Sequence, residues 1–588
     1  MANLDTSPRT PAPALIGLLA ILAVTAWWRG HTIGPTLDAR LGVAPYPVVR
    51  GESEPLDCDE AAYAYMARRL IEGDRLYADL SENKPPLGYW IYEGAVALGG
   101  PDELAIRLLP IPFVLASVAI VWWLGLRLGG PGAAVLSGLL CALLSTDPYL
   151  YGNGAQLEQA INCFSVAALA ATVAAAGSSR RRGAWLVSAG VALGLAILVK
   201  QVAALHVPVF VVAVLALPRQ GEPGEAGVRS LLRSLGAFFL GLVAPILVAG
   251  AVLAAQGVTA EAFDDIVRHG RALAADVSPE PNAPSPAIRW LTGNADPSGN
   301  LPPPFGTSDY LVWWGLGSWP IWLAGLPSLI WLAIGRGGFG RRAAAAWTAS
   351  AVLQVLAPGL YWAHYYLLPV PGLALSVAVA VSDAFAARPR RWWSTAIGLG
   401  LLSAILAFGA IQIRDYLLVP AEELTIRYKG GRQWVELRKL GRLLGEQTAG
   451  WDDPRLHIWG WQSPLLFYSG LDAASRHFFT NNLMRDYADR PHPVVSPRID
   501  ELMADLRDTR PELVFVAYPP FPALREFLSS GYLPSSLVPV SPDGRGLWIR
   551  EDRWADLQLD ADRLRRSAPA SPGRRPRRSR RSGPGGLP

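Results

Sequence analysis

Residues 57–90 of the chain read DCDEAAYAYMARRLIEGDRLYADLSENKPPLGYW, a polar stretch that lies between two strongly apolar blocks. The blocks, at 12–28 and 104–128, are each long enough to cross a bilayer, which takes roughly 17–25 apolar residues. A polar segment between two membrane spans lies at a membrane face. The chemistry open to its carboxylates and lysine therefore depends on which face that is.

The composition is that of a protein with many membrane spans. Of the 588 residues, 51% are hydrophobic and only 17% are charged, whereas soluble domains are about a quarter charged. The apolar residues form long blocks, and we predict a mostly α fold with about eleven spanning helices. The predicted spans are 12–28, 104–128, 132–145, 159–176, 185–199, 202–217, 235–255, 310–334, 343–363, 366–381 and 393–413.

The net charge of +5 does not indicate a nucleic-acid partner, because much of the basic excess lies near the end of the sequence. The stretch SAPASPGRRPRRSRRSGPGG predicts a disordered basic tail over 561–588. Two of the three cysteines, Cys141 and Cys163, lie inside apolar blocks. No disulfide framework is therefore predicted.

The arginines predict the orientation in the membrane. If the N-terminus is cytoplasmic, every short loop on the cytoplasmic side is basic, whereas the short loop 146–157 on the other side has no Lys or Arg. This asymmetry follows the positive-inside rule. We therefore expect the loops 29–103, 146–158 and 256–309, and everything after 413, to be extracytoplasmic. No small-residue cleavage site follows the first span, which is interpreted as an uncleaved anchor.

The extracytoplasmic material falls into two kinds. Loops belong to a transmembrane domain over 1–413, whereas 414–560 is predicted to form a small α/β domain. In that second region RLHIWGW and ELVFVAY have the pattern of short strands, and GGRQWVELRKLGRLLGEQ and RIDELMADLRDTR that of amphipathic helices. The loop 256–309 is interpreted as a surface helix followed by a flexible lid. It contains Asp264, His269 and Arg271, but their spacing does not assign them to a ligand.

The ionisable residues gather in loops, and no Asp or Glu lies in the middle of a predicted span. An ion-coupled transporter usually places such groups near the midplane of the membrane. An enzyme acting on a lipid-linked substrate would place them at the level of the headgroups. The distribution favours the enzyme, with a non-enzymatic lipid-carrier flippase or transporter as the alternative.

Several motifs, taken in order, resemble those of the GT-C glycosyltransferases. The first loop carries Asp59–Glu60, then Tyr63, then Lys84–Pro85–Pro86–Leu87 before the next span. This series resembles the protein O-mannosyltransferase and lipid A aminoarabinose transferase type, including the glycosyltransferase 39, RgtA/B/C/D-like proteins. Further matches are RLLP at Arg107, an acidic residue at Glu158, GLAILVKQ at Lys200, HYYLLPVPGLAL at His364, and IWGWQSPLLFYSGLDAASRHFF. The family often has Asp where this chain has Glu158.

The resemblance implies an enzyme of the cell envelope. Such a glycosyltransferase moves one sugar from a polyprenyl-phosphate carrier to an acceptor hydroxyl on a protein, lipid or glycan, outside the cytoplasm and usually with inversion. No nucleotide sugar takes part, in keeping with the lack of a phosphate-cradling glycine motif in this sequence. A divalent cation held by Asp59 and Glu158 is compatible with the resemblance, which does not require one.

The resemblance also assigns candidate roles. An acceptor hydroxyl needs a base, and Asp59 is the first candidate, with Glu158 second. The phosphate leaving group needs cations. The candidates for donor-phosphate binding are Lys84, Lys200, His364 and Arg107. The supporting residues are Glu60, Glu82, Tyr63 and Tyr365.

Structural interpretations compete with these roles. Asp59 and Glu60 could cap a surface helix, and Asp57 is expected to be a solvated loop carboxylate. Lys84 and Lys200 could be interfacial lysines, and His364 a structural histidine beside an aromatic belt. The Trp459–Trp461 stretch is expected to be a packed strand.

Overall fold

The computed structural model describes residues 12–218, 225–275, 307–335, 338–358, 362–387, 392–429, 431–483 and 491–557. In these residues a helical bundle is followed by a small sheet covered by short helices, as the predicted fold class requires. The predicted basic tail, 561–588, and the predicted flexible part of the loop 256–309 lie outside the described residues.

The bundle consists of long apolar helices. Their bounds are Ala12–Arg29, Pro110–Leu144, Leu157–Gly177, Arg182–Val199, Glu225–Ala255, Thr307–Ile334, Gly338–Leu356, Val370–Ala386 and Trp392–Gln412. Shorter helices accompany them at Gly34–Leu41, Glu103–Leu108, Val207–Leu215, Thr259–Phe263 and Gly270–Ala275, with 3₁₀ or π turns at Gly30–Ile33, Pro148–Leu150, Gln201–His206, Asp264–His269, Ala363–Leu367 and Ile413–Leu417. Each of the eleven predicted spans falls on a helical segment.

The segment Pro110–Leu144 is a helical hairpin. Its chain reverses at Gly130, which has a φ of 83°, a value that glycine adopts without steric cost. The Ser137 hydroxyl donates a hydrogen bond to the Val121 carbonyl at 3.2 Å, across 16 sequence positions. In one continuous helix these residues would be about 24 Å apart. The two halves are therefore antiparallel, as expected for two separate spans.

The predicted number of spans is not confirmed. Within the described residues, eight helices are long and apolar enough to cross a membrane. One of these is the stretch Glu103–Leu144, which the hairpin divides into two passes. The predicted spans 202–217 and 343–363 correspond to a shorter apolar segment, Gln201–Leu215, and to Gly338–Leu356, which is not among the eight.

The first polar loop forms two helices, Cys58–Glu72 and Leu87–Gly99. The first helix ends at Gly73 in a left-handed conformation with φ 111°, a common helix C-terminus. The second begins directly after Pro86, where the fixed φ of proline suits a first helical turn.

After the bundle the chain forms a five-stranded mixed sheet with the order β2-β1-β3-β5-β4. The strands are β1 Arg455–Trp459, β2 Asp472–Ala473, β3 Leu513–Val516, β4 Tyr532–Pro534 and β5 Gly546–Arg550. Strand β1 is parallel to β2 and β3, and β5 is antiparallel to β3 and β4. Helices and turns around it are Ala421–Tyr428, Gln433–Thr448, Pro464–Ser469, Thr480–Leu483, Ser496–Thr509, Pro522–Ser529 and Glu551–Arg553. The predicted strands and amphipathic helices are thus present, while the domain boundaries at 413 and 560 stay predictions.

The first loop and the sheet region share one apolar core. The Tyr65 and Phe478 ring centroids are 5.0 Å apart, and the Tyr65 hydroxyl accepts a hydrogen bond from the Ala473 amide at 2.8 Å. At the rim of this contact Asp472 accepts hydrogen bonds from Arg68 and Arg69 at 2.8 and 2.6 Å. The sheet region is therefore packed directly on the loop that carries the candidate site.

A second connection joins the sheet region to the segment after the seventh predicted span. Arg498 forms ion pairs with Asp264 and Asp265, the latter at 2.6 Å. Asp265 also accepts a hydrogen bond from the Ser81 hydroxyl at 3.0 Å. Three segments that are distant in sequence therefore meet at one end of the bundle.

Candidate active site

The helix Cys58–Glu72 begins with a capping box. The Asp57 carboxylate accepts a hydrogen bond from the Glu60 amide at 3.0 Å, and the Glu60 carboxylate accepts one from the Asp57 amide at 2.9 Å. Asp57 is buried, and it also accepts a hydrogen bond from the Gln156 side-chain amide at 2.9 Å. The expectation that Asp57 is a solvated carboxylate is wrong, because this residue is the helix cap.

Because Asp57 and Glu60 form the cap, Asp59 has no capping role. Its side chain is 26% exposed, and among the described residues its carboxylate makes no hydrogen bond. Its ion-pair partner within the described part of the chain is His364, whose Nε2 lies 4.0 Å from Asp59 Oδ2. The competing interpretation of Asp59 as a helix cap is therefore not supported, and this carboxylate is open to an incoming group.

Lys84 is held by its own loop. Its Nζ is 3.1 Å from Glu82 Oε1 and 5.3 Å from the centre of the Tyr63 ring. Burial on its own would lower the pKa of the Lys84 ammonium, but Glu82 and Asp59 raise it above its ordinary value. Lys84 is therefore a fixed positive charge with 17% of its side chain exposed.

Lys200, at the end of a bundle helix, also contacts one carboxylate and one aromatic ring. Its Nζ is 2.7 Å from Glu158 Oε1 and 4.0 Å from the centre of the Tyr365 ring. Lys200 follows the helix Arg182–Val199, and Glu158 lies in the first turn of Leu157–Gly177. Each lysine thus has one carboxylate partner and one aromatic ring, an arrangement that stabilises the ammonium without covering it.

These groups form one cluster with His364. Asp59 and Lys200 both act electrostatically on Lys84, and all three act on the His364 ring. We call Asp59, Lys84, Lys200 and His364 the accessible cluster, because their side chains are 12–26% exposed. The structure thus brings together the first candidate base and three of the four candidate phosphate ligands, along with the supporting residues Glu82, Tyr63 and Tyr365.

Arg107 is not part of the accessible cluster. Its guanidinium is completely buried, donates to Glu60 Oε1 at 2.6 Å and to the Glu54 carbonyl at 3.2 Å, and so faces the cap. Lys429 is equally buried, with its Nζ 3.0 Å from Glu54 Oε1. We call Glu54, Glu60, Arg107 and Lys429 the buried ionic cluster. Its four members form ion pairs with one another and are completely buried. Arg107 and Glu60 therefore have a structural role next to the accessible cluster.

The sequence interpretation missed two members of this cluster, Glu54 and Lys429. They are separated by 375 positions in the numbering, and no local spacing could have paired them. Glu54 also accepts two hydrogen bonds from the Asn153 amide, at 2.8 and 2.7 Å. The cap at Asp57, by contrast, had a sequence signal, because an Asp followed three residues later by a Glu is typical of a capping box.

The remaining candidates have other surroundings. Glu158 is 2% exposed and paired with Lys200, which fits a positioning role better than that of a base. Asp264 pairs with Arg498, His269 is buried and Arg271 is exposed.

Among the described residues no group of three or more His, Cys, Asp or Glu side chains is arranged to hold a metal ion.

Comparisons with known proteins find sequence relatives for part of the chain. Residues 83–249 match the family described as dolichyl-phosphate-mannose-protein mannosyltransferase. Two curated relatives are the undecaprenyl phosphate-alpha-4-amino-4-deoxy-L-arabinose arabinosyl transferases of Erwinia tasmaniensis, 31% identical over 159 residues, and of Edwardsiella ictaluri, 29% identical over 162 residues. Each alignment covers 26% of this chain and 29% of the relative.

A likeness in three dimensions extends over most of the chain. The crystal structure of ArnT from Cupriavidus metallidurans bound to undecaprenyl phosphate superimposes with a TM-score of 0.51 at 16% identity. The match covers 91% of this chain and 97% of that one. The expected GT-C fold is therefore confirmed, and the chain is a multi-pass membrane protein of this fold.

Proposed function

We propose that this protein is an integral membrane glycosyltransferase that moves a sugar from a polyprenyl-phosphate carrier to an acceptor hydroxyl on the extracytoplasmic side. The observation that carries the proposal is the accessible cluster. One open carboxylate, Asp59, lies among two lysines and a histidine, at the end of a bundle built for a membrane. The curated relatives carry names of transferases that use an undecaprenyl-phosphate sugar, which supports the same class of reaction.

The reaction needs a base and an anion-binding group in different places. Asp59 takes the proton of the acceptor hydroxyl while the oxygen attacks the anomeric carbon. The bond between that carbon and the phosphate oxygen breaks, and the electron pair goes to the phosphate. Lys84 and Lys200 stabilise the negative charge that grows there. Neither lysine needs to be reorganised, because Glu82 and Glu158 already hold them in place.

His364 is close to both the proposed base and the proposed phosphate-binding lysines. Its Nε2 is 4.0 Å from Asp59, and Glu158 and Lys200 act on its ring. We assign it to the orientation of Asp59 and to contact with the phosphate. Glu158 and Glu82 are positioning residues, since each carboxylate touches a lysine and is 1–2% exposed.

The geometry supports the expected side of the membrane. The residues of the accessible cluster come from 29–103, from the end of the span 185–199 and from the start of the span 366–381, which the arginine pattern places on the extracytoplasmic side. The sheet region contacts the same end of the bundle through Arg498 and Asp265. We therefore propose a cytoplasmic N-terminus, with the catalytic loops and the residues after 413 outside. No contact in the described part of the chain favours the flippase alternative.

The test is an isosteric change of the base. We expect Asp59→Asn to lower turnover by about 10²–10⁴-fold, since the amide cannot accept the proton, while affinity for undecaprenyl phosphate stays unchanged. Full-length protein in nanodiscs would be assayed with undecaprenyl-phosphate-linked pentoses and hexoses. Glu72→Gln is the matched control, because Glu72 is a carboxylate on the same helix with 41% of its side chain exposed. Turnover of Asp59→Asn close to that of Glu72→Gln would contradict the proposal.

A further inference from the structure

The sheet region brings two aromatic side chains to the accessible cluster. Strands β1 and β3 are parallel neighbours, so their carboxyl ends lie at one edge of the sheet. Trp461 follows β1 by two residues, and Tyr518 follows β3 by two residues. In sheets of this kind ligands bind beyond the carboxyl ends of the strands. Trp461 was expected in a packed strand, but the strand ends at Trp459, which is buried, and Trp461 is only half-buried.

The bundle supplies a third aromatic side chain at the same place. Trp362 is also half-buried, and its ring centroid lies 6.1 Å from that of Trp461. Trp461 is in turn 6.1 Å from Tyr518, and both contacts are edge-to-face at 70°. We call Trp362, Trp461 and Tyr518 the aromatic edge. Its members come from three separate segments, which makes a purely local packing role a poor explanation.

The aromatic edge adjoins the candidate base. Trp362 precedes His364 by two residues, and His364 is the residue that approaches Asp59. On the other side, the Ser463 hydroxyl, two residues after Trp461, donates a hydrogen bond to the Cys58 carbonyl, next to Asp59. Cys58 is also close enough to Tyr518 to add to the effect of burial, which raises the pKa of that phenol.

The two sides of Asp59 therefore differ in chemistry. Lys84 and Lys200 offer positive charge, which suits a phosphate. The aromatic edge offers flat apolar faces and one phenolic hydroxyl, and carries no charge. A sugar ring has apolar C–H faces and hydroxyl groups, so it matches this combination of aromatic faces and few polar groups.

From this we infer that the aromatic edge binds the acceptor, and that the acceptor is a neutral sugar residue of a glycan, held with one hydroxyl toward Asp59. The inference rests on the proposed function, because it takes Asp59 as the base. A peptide acceptor fits less well. Peptides commonly add to a free sheet edge, and the outer strands here, β2 and β4, have only two and three residues.

The experiment measures binding of defined probes to full-length protein in nanodiscs. The probes are neutral gluco-, manno-, galacto- and arabino-oligosaccharides, a phosphorylated glycolipid, and Ser/Thr-rich peptides on one array. We expect wild-type protein to bind at least one neutral oligosaccharide. Trp461→Ala should weaken that binding roughly ten- to a hundredfold, as truncation of an aromatic anchor does. Trp461→Phe keeps an aromatic face and should stay within about threefold of wild type.

Trp554→Ala is the matched control, because Trp554 lies in the same region, is 37% exposed and is bonded to the far edge strand β4. We expect it to bind like wild type. The inference is overturned if the wild type prefers peptides or the phosphorylated glycolipid, if it binds no neutral oligosaccharide, or if Trp461→Ala binds normally. Affinity for undecaprenyl phosphate is measured for every variant. If the wild-type protein binds undecaprenyl phosphate but no neutral oligosaccharide, this inference alone is refuted. If the wild-type protein does not bind undecaprenyl phosphate, the proposed function is refuted.

Discussion

The accessible cluster and the buried ionic cluster both contain carboxylate and cationic side chains, and they are joined by the consecutive residues Asp59 and Glu60. They differ in how far these side chains are exposed to solvent. Asp59 and Glu60 are consecutive residues of one helix turn, yet Asp59 is 26% exposed and Glu60 is completely buried. Glu60 is paired with Arg107 at 2.6 Å, whereas the ion-pair partner of Asp59 among the described residues is His364, at 4.0 Å. The difference shows that burial and pairing, and not residue type, separate the paired carboxylate of Glu60 from that of Asp59, the candidate base.

The largest effect is expected in the buried ionic cluster. Lys429→Ala leaves Glu54 buried with one fewer cation, and removal of one partner of a buried ion pair costs about 3–5 kcal/mol of unfolding free energy. We expect a large fall in the thermal midpoint of the detergent-solubilised protein.

The control for this prediction is Arg427→Ala. Arg427 lies two residues before Lys429 and forms an ion pair with Glu423. The two side chains are 51% and 45% exposed, and exposed ion pairs contribute about 0–1 kcal/mol to stability. If both variants melted at the same temperature, the distinction between the buried and the accessible charges would be wrong.

An intermediate effect is expected in the accessible cluster. Lys84→Ala removes the proposed charge-assisted contact to the donor phosphate, and such a contact contributes about 1.5–3 kcal/mol. Affinity for undecaprenyl phosphate should therefore fall roughly 10- to 150-fold. Lys200→Ala should act in the same direction but less strongly. Stability should fall less than in Lys429→Ala, because the side chains of Lys84 and Lys200 are 17% and 12% exposed whereas that of Lys429 is completely buried.

Isothermal titration with undecaprenyl phosphate, together with the thermal midpoint, tests this prediction. The two lysines would need another role if Lys84→Ala bound the lipid normally. If Lys84→Ala lowered the thermal midpoint as much as Lys429→Ala, the distinction between the accessible cluster and the buried ionic cluster would be wrong.

A pH-dependent effect concerns Asp57, the cap of the helix Cys58–Glu72. Burial raises the pKa of Asp57 from an ordinary 3.8 to about 7. The folded protein therefore holds this proton more tightly than the unfolded chain, so stability falls as the pH rises from about 4 to about 7. Asp57→Asn removes the titration and keeps a good cap. We expect its thermal midpoint to depend less on pH over this interval than that of wild type, and equal slopes would contradict the assignment.

The sequence predicts the accessible cluster better than the buried one. Asp59, Lys84, Lys200 and His364 lie in loops next to spans, and an ordered series of motifs links them to one superfamily. Glu54 and Lys429 belong to no motif, and their pairing depends on how the residues after 413 fold back on the first loop. The count of spans was also hard to predict, because short helices such as Val207–Leu215 depart from the usual length of a spanning helix.

The misinterpretation of Asp57 has a different cause. Two acidic residues in one helix turn, Asp57 and Asp59, both satisfy the preference for Asp at a helix N-terminus. Only the register of the first turn decides which one is the cap. That register follows from Glu60, which lies three residues after Asp57 and one after Asp59, so the capping-box spacing selects Asp57.

The packing of the sheet region on the first loop has a consequence for biosynthesis. The hydrogen bond from Ser463 to Cys58 joins residues 405 positions apart. At a translation rate of about 5–20 residues per second, the first loop waits on the order of 20–80 s for the residues that complete its core. During that interval the apolar side of the helix Cys58–Glu72 has no partner from the sheet. A ribosome that stops before the sheet is made would therefore leave a chain inserted in the membrane but without a complete candidate active site.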